Sequence, residues 1–151
     1  MASESFYIYR KQLPHWRQES AAYFLTWRLH KTQPELTPAE RTLVSDAIQY
    51  FHRVRYALLA YVVMNDHVHV LVQPLPPNEL QQIVQSWKSY TAHELQKKFQ
   101  RGVPVWQDEY FDRIVRDESE FQQKANYILG NPRKRWPELE DYPWHGLRRI
   151  E

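Results

Sequence analysis

The sequence predicts an α+β domain built on an antiparallel sheet with two helices on one face. Two observations lead to this prediction. A nearly continuous apolar run, residues 56–64, is followed by a strictly alternating segment, residues 67–73, with the turn residues Asn65 and Asp66 between them; this order is typical of a β-hairpin. A segment with helical periodicity lies on either side of the hairpin. A chain of 151 residues with this alternation has the size of one domain.

A strand and a helix are predicted before the hairpin. Residues 23–30 are rich in aromatic residues, which favour a strand. Thr37 then begins a capping box that ends at Glu40 and has a proline at the first helical position. Apolar residues recur at helical spacing after this box, so the helix is expected to run to about Val54.

Three further elements are predicted after the hairpin. Apolar residues at helical spacing predict a long helix from Asn78 to about Phe99. Residues 105–116 indicate a strand or a strand pair with a bend. Asp117 is placed to cap a last helix. We expect that helix to stop near Gly130, because residue 131 precedes a proline and such a residue disfavours helical backbone.

The predicted order is therefore β-α-β-β-α-β-α. Its first six elements match the split βαβ pattern of a ferredoxin-like domain, with a four-stranded antiparallel sheet and both helices on one face. The seventh element, an added C-terminal helix, is free to cover the other face. We predict one domain over residues 1–151, with irregular ends at about 1–20 and 132–151.

The composition excludes several classes of protein. There is no cysteine, which excludes disulfide scaffolds and thiolate metal sites, and 3 glycines are too few for a glycine-rich phosphate loop as the main device. The net charge of +2 permits a nucleic-acid partner but does not indicate one. No apolar run approaches the roughly 18 residues of a membrane helix, and no secretion signal is evident. The expectation is a soluble, cytoplasmic protein.

Two histidines in the second strand of the hairpin are the first candidate site. His67 and His69 are two residues apart, so their side chains project from one face of the strand while the valines between them project from the other. Two imidazoles held at this spacing are able to bind one divalent cation. The spacing alone is equally compatible with two exposed or half-buried histidines that bind nothing.

The second candidate is Tyr127 in the last helix. It lies off the apolar stripe of that helix, with Lys124 and Asn131 on the same side. A phenol oxygen beside a cation is a usable nucleophile toward phosphate, and the amide oxygen of Asn131 suits a hard cation. Half-buried packing is the competing interpretation of Tyr127, and Tyr90 is a rival nucleophile on pattern alone.

Three sequence blocks, in this order, resemble the REP-associated tyrosine transposases. The blocks are residues 61–71 (YVVMNDHVHVL), 105–116 (VWQDEYFDRIVR) and 126–134 (NYILGNPRK). That family is related to the insertion-sequence single-tyrosine transposases of the HUH endonuclease superfamily. The resemblance covers about residues 20–145. The sequence departs from the family pattern at the end of the last block, where Arg133 stands in place of the usual small apolar residue and no glycine follows Lys134.

The resemblance implies a site, a substrate and a cofactor. It implies that His67 and His69 bind a metal, that Asn131 is the third ligand and that Tyr127 is the nucleophile. It implies single-stranded DNA with hairpins as substrate, Mg²⁺ or Mn²⁺ as cofactor, and a monomer or a homodimer. Residues 85–91 resemble a lysine-centred stretch of the family, which makes Lys88 a candidate DNA contact. The other candidate DNA contacts are the cations beside Tyr127, namely Lys124, Arg133, Lys134 and Arg135.

Three functions remain open from the sequence. The first is a metal-dependent strand transferase that forms a 5′-phosphotyrosine intermediate, with Tyr127 activated either by the metal or by Lys124. The second is a ferredoxin-like nucleic-acid-binding module without catalysis, although the aromatic motif of RNA-recognition domains is missing. The third is a metal-dependent hydrolase that uses water and does not need Tyr127.

Overall fold

A computed structural model describes residues 21–147 of the chain. The sheet is five-stranded and antiparallel, in the order β4-β1-β3-β2-β5. The strands are β1 (Ala22–Arg28), β2 (Tyr56–Val63), β3 (His67–Pro74), β4 (Phe111–Val115) and β5 (His145–Leu147); the helices are α1 (Pro38–Tyr50), α2 (Leu80–Phe99) and α3 (Glu118–Arg135). The first four strands and first two helices give the predicted ferredoxin-like pattern. The predicted irregular segment before residue 21 lies outside the described residues.

The sheet has an apolar core on each face because its central strands are buried on both sides. On one face, Val68, Val70 and Val72 of β3 belong to the core that includes residues of α1 and α2. On the other face, Phe24 and Leu71 belong to the core that includes α3. The predicted division of β3 into a valine face and a histidine face is confirmed, and the histidine face is the one that α3 approaches.

The predicted caps of α1 and α3 are present. The Thr37 hydroxyl accepts a hydrogen bond from the Glu40 amide at 3.3 Å, and the Glu40 carboxylate accepts one from the Thr37 amide at 2.9 Å. The Asp117 carboxylate likewise accepts from the Glu120 amide at 2.9 Å. Each cap gives a partner to amides that the first turn of a helix otherwise leaves unbonded.

The predicted end of the last helix near Gly130 is wrong, because α3 continues through Pro132 to Arg135. A proline inside a helix removes one hydrogen bond and costs about 3 kcal/mol. Asn131 and Pro132 are both buried, and the Trp136 amide bonds to the Pro132 carbonyl at 2.8 Å. We attribute the continuation of the helix to this burial. The prediction used only the local backbone preference of the residue before a proline, and that preference takes no account of tertiary packing.

The predicted irregular segment over 132–151 is wrong at residues 132–135, which belong to α3, and at residues 145–147, and the sheet has a fifth strand in addition to the predicted four. Residues 148–151 lie outside the described part of the chain. Beyond the end of α3, residues 145–147 form β5, which pairs with Ala60, Tyr61 and Val62 of β2. A three-residue strand has no periodicity of its own to detect, so its pairing depends on where the chain returns to the sheet. Within residues 21–147, no helix has both the length and the apolar character that crossing a bilayer requires.

Candidate active site

The two histidines of β3 lie side by side on the face of the sheet that α3 covers. Their ring centroids are 4.7 Å apart, with an interplanar angle of 71°. His69 is 3% exposed, and its ring stacks on Phe24 of β1 at 5.3 Å. His67 is the more accessible of the two because it stands at the beginning of the strand.

Each imidazole has a partner for its Nδ1 atom. His67 Nδ1 is 2.7 Å from a carboxylate oxygen of Asp66. A carboxylate accepts hydrogen bonds, so Nδ1 carries a proton, and Nε2 of His67 keeps a lone pair whenever the ring is neutral. His69 Nδ1 is 2.8 Å from the hydroxyl of Thr26, which lies directly opposite His69 in the β1–β3 register.

The Nε2 atom of His69 is the feature of the site that indicates a bound ligand. His69 Nε2 is buried and has no hydrogen-bond partner among the described residues. A buried polar atom without a partner is rare and needs an explanation. With the Thr26 hydroxyl accepting the Nδ1 proton, Nε2 holds a free lone pair, and metal-binding histidines commonly show this arrangement. The residues present therefore fit a divalent cation.

Burial keeps the His69 ring neutral. The pKa of His69 is lowered to about 3, first because burial disfavours the charged ring and then because the charges of His67, Arg28, Lys134 and Lys124 repel a further proton. A neutral imidazole is the form that ligates a metal. His69 is therefore available as a ligand at neutral pH without having to lose a proton.

Helix α3 places Tyr127 over this pair. The rings of Tyr127 and His69 are 5.2 Å apart between centroids, and the ring of Tyr127 meets the edge of Phe24 at 6.0 Å. Tyr127 is 41% exposed, because it lies off the buried stripe of the helix, as the sequence predicts. Packing of that stripe on the sheet therefore brings the phenol and an imidazole together from elements 58 residues apart in number.

The rival tyrosine lies elsewhere. Tyr90 of α2 is 54% exposed and lines a groove with Tyr50 and Phe51 of the α1 region. Since α1 and α2 contribute to the core on the valine face, this groove is separate from the histidine site. Tyr90 consequently serves as a natural comparison residue for Tyr127.

The predicted cations of α3 surround the phenol to different degrees. The Lys134 ammonium lies 4.4 Å from the centre of the Tyr127 ring, and the Lys124 ammonium lies 4.9 Å from the centre of the Phe24 ring. Arg133 is exposed. Arg135 lies over Trp136 at 5.3 Å and 4.0 Å from a Glu35 carboxylate oxygen. Lys134 and Lys124 are thus the cations that the fold places at the site.

Asn131 stays a prediction as a metal ligand. It follows Tyr127 by four residues in α3 and is 6% exposed. Among residues 21–147 no cluster of three or more histidine, aspartate or glutamate side chains is arranged to hold a metal. A third protein ligand from this region would therefore have to be of another type, such as the amide of Asn131.

Lys88 has a specific place in the structure. Its ammonium donates hydrogen bonds to the carbonyl oxygens of Gln107 and Asp108 at 2.8 and 2.9 Å. Its pKa is lowered because burial disfavours the charged ammonium. Lys88 thus ties α2 to the segment that precedes β4, and its predicted contact with DNA stays a prediction.

A cleft of about 580 Å³ opens beside the phenol. Tyr127 and Lys124 of α3 line one side, and residues 109–111 line another. Sequence reasoning did not single out Thr26, Phe24 or Phe111 as parts of the site. Only the strand register could have identified them. It makes Thr26 the direct cross-strand neighbour of both His69 and Phe111, and a single sequence does not give that register.

Comparison with known proteins places this geometry in a family. A family model described as "Transposase IS200 like" matches residues 18–131. An uncharacterized protein of Haemophilus influenzae is 28% identical in an alignment of 104 residues, and the match covers 55% of this chain and 57% of that protein. The chain thus spans somewhat more than half the length of this relative.

Two solved structures share the fold. A REP-associated tyrosine transposase bound to a REP hairpin superposes with a TM-score of 0.69 at 21% identity, over 83% of this chain and 75% of that one. A candidate transposase of Deinococcus radiodurans superposes with a TM-score of 0.54 at 21% identity, over 74% of this chain and 90% of that one. At this identity the two structures establish the fold, whereas the family model spans most of the chain. The chain belongs to the IS200-like transposase family.

Proposed function

We propose that this protein is a metal-dependent single-stranded DNA endonuclease and strand transferase of the REP-associated type. Its substrate would be DNA with hairpin-containing repeats, and Tyr127 would be its nucleophile. The observation that carries the proposal is the 5.2 Å separation between the rings of Tyr127 and His69, whose Nε2 atom has no partner among the described residues. The solved structure of a relative bound to a REP hairpin supports the choice of substrate.

The chain's own residues perform most of the proposed chemistry. The Tyr127 oxygen attacks the phosphorus of the scissile phosphodiester, and the bond from phosphorus to the 3′ oxygen breaks. The products are a 5′-phosphotyrosine and a strand that ends in a 3′-hydroxyl, once its oxygen has taken up a proton. Water is not consumed, so a 3′-hydroxyl is able to reverse the step and join a new strand.

His67, His69 and Asn131 would hold Mg²⁺ or Mn²⁺. When bound, the cation offsets the negative charge of the phosphate and orients it for in-line attack. Asp66 and Thr26 fix the two imidazoles so that Nε2 of each is free to bind. Lys134 and Lys124 favour the anionic substrate beside the phenol.

A denaturing gel tests the proposal. The protein is mixed with hairpin-bearing single-stranded DNA and Mg²⁺ or Mn²⁺, and a covalent protein–DNA band is expected. The band should vanish in Tyr127→Phe and after addition of a chelator. Tyr90→Phe is the matched control, since it removes a similarly exposed hydroxyl from the opposite face, and it should retain the band.

Other outcomes would overturn the proposal in distinct ways. Binding without an adduct or cleavage would identify a binding module. Cleavage that survives Tyr127→Phe would identify a hydrolase that uses water. Loss of the band in Tyr90→Phe with retention in Tyr127→Phe would move the nucleophile to α2.

A further inference from the structure

Phe111 is an exposed aromatic residue that lies in one cross-strand row with Thr26 and His69. In the antiparallel register, Phe111 of β4 pairs with Thr26 of β1, and Thr26 pairs with His69 of β3. Directly paired residues share a face of the sheet, so Phe111 stands on the histidine face. Neighbouring strands are about 4.8 Å apart, which puts the backbone of Phe111 about 10 Å from that of His69. Phe111 is nevertheless 56% exposed.

The space beside Phe111 is the cleft that Tyr127 also lines. Its volume of about 580 Å³ lies in the usual range of small-molecule sites. The cleft is lined by Lys124 and Arg28, which complement a phosphate backbone, and by Glu109 on the segment that leads to Phe111. Cations therefore lie on α3 and β1, whereas an acceptor, Glu109, and two aromatic rings, Tyr110 and Phe111, lie on the segment that leads into β4.

We propose that Phe111 is the stacking platform for an unpaired base next to the scissile phosphate. The backbone would follow the cations near Tyr127, and the base would turn toward the segment 109–111. Glu109 is able to accept a hydrogen bond from an exocyclic amino group there, whereas it would repel a phosphate. Stacking on an aromatic ring suits an unpaired base of any sequence. The inference rests on the proposed single-stranded DNA substrate and adds a residue that selects unpaired DNA.

Fixed contacts hold the segment that carries this platform. The Gln107 amide bonds to the Arg28 carbonyl at 2.9 Å, and the Gln107 side chain bonds to the Leu29 carbonyl at 3.1 Å. Lys88 binds the carbonyls of Gln107 and Asp108. The segment that leads into β4 is therefore hydrogen-bonded to both β1 and α2. Because this fixes the backbone that carries the Phe111 ring, little conformational entropy is lost when a base binds.

Measurements of DNA affinity test the inference in proteins that are unable to cleave the DNA. All variants carry Tyr127→Phe so that no adduct forms, and affinity is measured for a hairpin substrate and for substrates with one abasic site at each position flanking the scissile bond. Phe111→Ala should weaken binding of the intact substrate about 5- to 100-fold. Phe111→Tyr should restore it, because the ring is kept. Ile114→Ala is the matched control, since Ile114 is 38% exposed on the same strand but the opposite face, and its affinity should not change.

The abasic substrates separate stacking from a general effect. At one flanking position the abasic site should reduce the affinity of the Tyr127→Phe protein and abolish the further effect of Phe111→Ala. An equal loss in Phe111→Ala at every abasic position, or no loss with intact DNA, would overturn the inference. Coupling at one position, together with no covalent band from the Tyr127-containing protein on the denaturing gel, would support the inference while overturning the proposed strand transfer. Absence of any DNA binding would overturn both.

Discussion

At the scale of single residues, the site depends on which nitrogen of each imidazole is free. Asp66 and Thr26 contact the Nδ1 atoms of His67 and His69, and in neutral rings protonated at Nδ1 both Nε2 atoms keep their lone pairs. Burial then keeps the His69 ring uncharged, with a pKa of about 3. In the proposed metal site, Asp66 and Thr26 would therefore set which nitrogen of each histidine is presented to the cation.

We predict that Thr26→Val weakens metal binding by about 10- to 100-fold, because the substitution removes the hydroxyl that orients His69. Titration with Mn²⁺, followed by calorimetry, measures this affinity. Thr32→Val is the matched control: its hydroxyl lies 2.7 Å from Nδ1 of His30, so it removes the same kind of contact away from the site. Equal Mn²⁺ affinity in Thr26→Val and the wild type would contradict the assigned role of Thr26.

At the scale of elements, two cationic side chains tie the helices to neighbouring segments. One is Lys88, which joins α2 to the carbonyls of Gln107 and Asp108. The other is Arg101, which follows α2 and binds both carboxylate oxygens of Glu40 in α1 at 2.6 and 2.7 Å. Both ties are made by cations that a sequence assigns more readily to the surface or to DNA.

Lys88→Met is expected to slow adduct formation by about 10-fold, because the stem is kept while two charge-assisted hydrogen bonds to the wall of the cleft are lost. The salt dependence of DNA binding should not change. Lys97→Met, an exposed lysine of the same helix, is the control and should alter neither quantity. A slope of log affinity against log salt that falls by about 0.7 in Lys88→Met would instead indicate a direct phosphate contact.

The Glu40–Arg101 pair makes stability depend on pH. Burial alone raises the pKa of Glu40, but the Arg101 hydrogen bond, the Thr37 amide and the Arg101 charge together lower it below 4.5. A carboxyl with a lowered pKa stabilises the fold above the unfolded value, and this stabilisation is lost as pH falls through the folded value.

Arg101→Met should therefore reduce the free energy of unfolding by about 3–5 kcal/mol at pH 7, because a buried carboxylate loses its partner. The difference from the wild type should shrink as the pH falls below the unfolded value of 4.5 and through the lowered pKa of Glu40, at which its carboxylate takes up a proton. Urea denaturation at pH 7 and at a pH below 4.5 measures this difference in the free energy of unfolding. Lys98→Met removes a half-exposed pair with Glu94 and should cost less than about 1 kcal/mol; a similar cost for both variants would contradict the prediction.

At the scale of the whole molecule, charge is distributed unevenly although the net charge is +2. The last turn of α3 carries Arg133, Lys134 and Arg135, and Lys134 lies over the Tyr127 ring. A local concentration of cations next to the proposed nucleophile attracts a polyanion even when the molecule as a whole is nearly neutral.

Lys134→Gln should lower the slope of log affinity against log salt by about 0.7, which is the value for one phosphate contact on a single strand. Filter binding at several salt concentrations measures the slope. Lys97→Gln, on a helix that packs against the other face of the sheet, is the control and should leave the slope unchanged. An unchanged slope in Lys134→Gln would remove Lys134 from the DNA path.

The sequence by itself determined the elements that have a strong local pattern. The hairpin, the capped helices and the division of β3 into two faces follow from periods of two and 3.6 residues and from short-range hydrogen bonds. For the same reason the position of Tyr127 off the buried stripe of its helix could be predicted. These features depend on residues that are close together in the chain.

Only the tertiary structure decided the rest. It continued α3 through Pro132, added β5 to the sheet, placed Thr26 opposite His69 and put Phe111 in the same row. Each of these depends on burial or strand register between distant segments, and such contacts stabilise the fold without leaving a local signal in the sequence. The proximity of Tyr127 and His69 has the same cause, because packing of α3 on the sheet sets it.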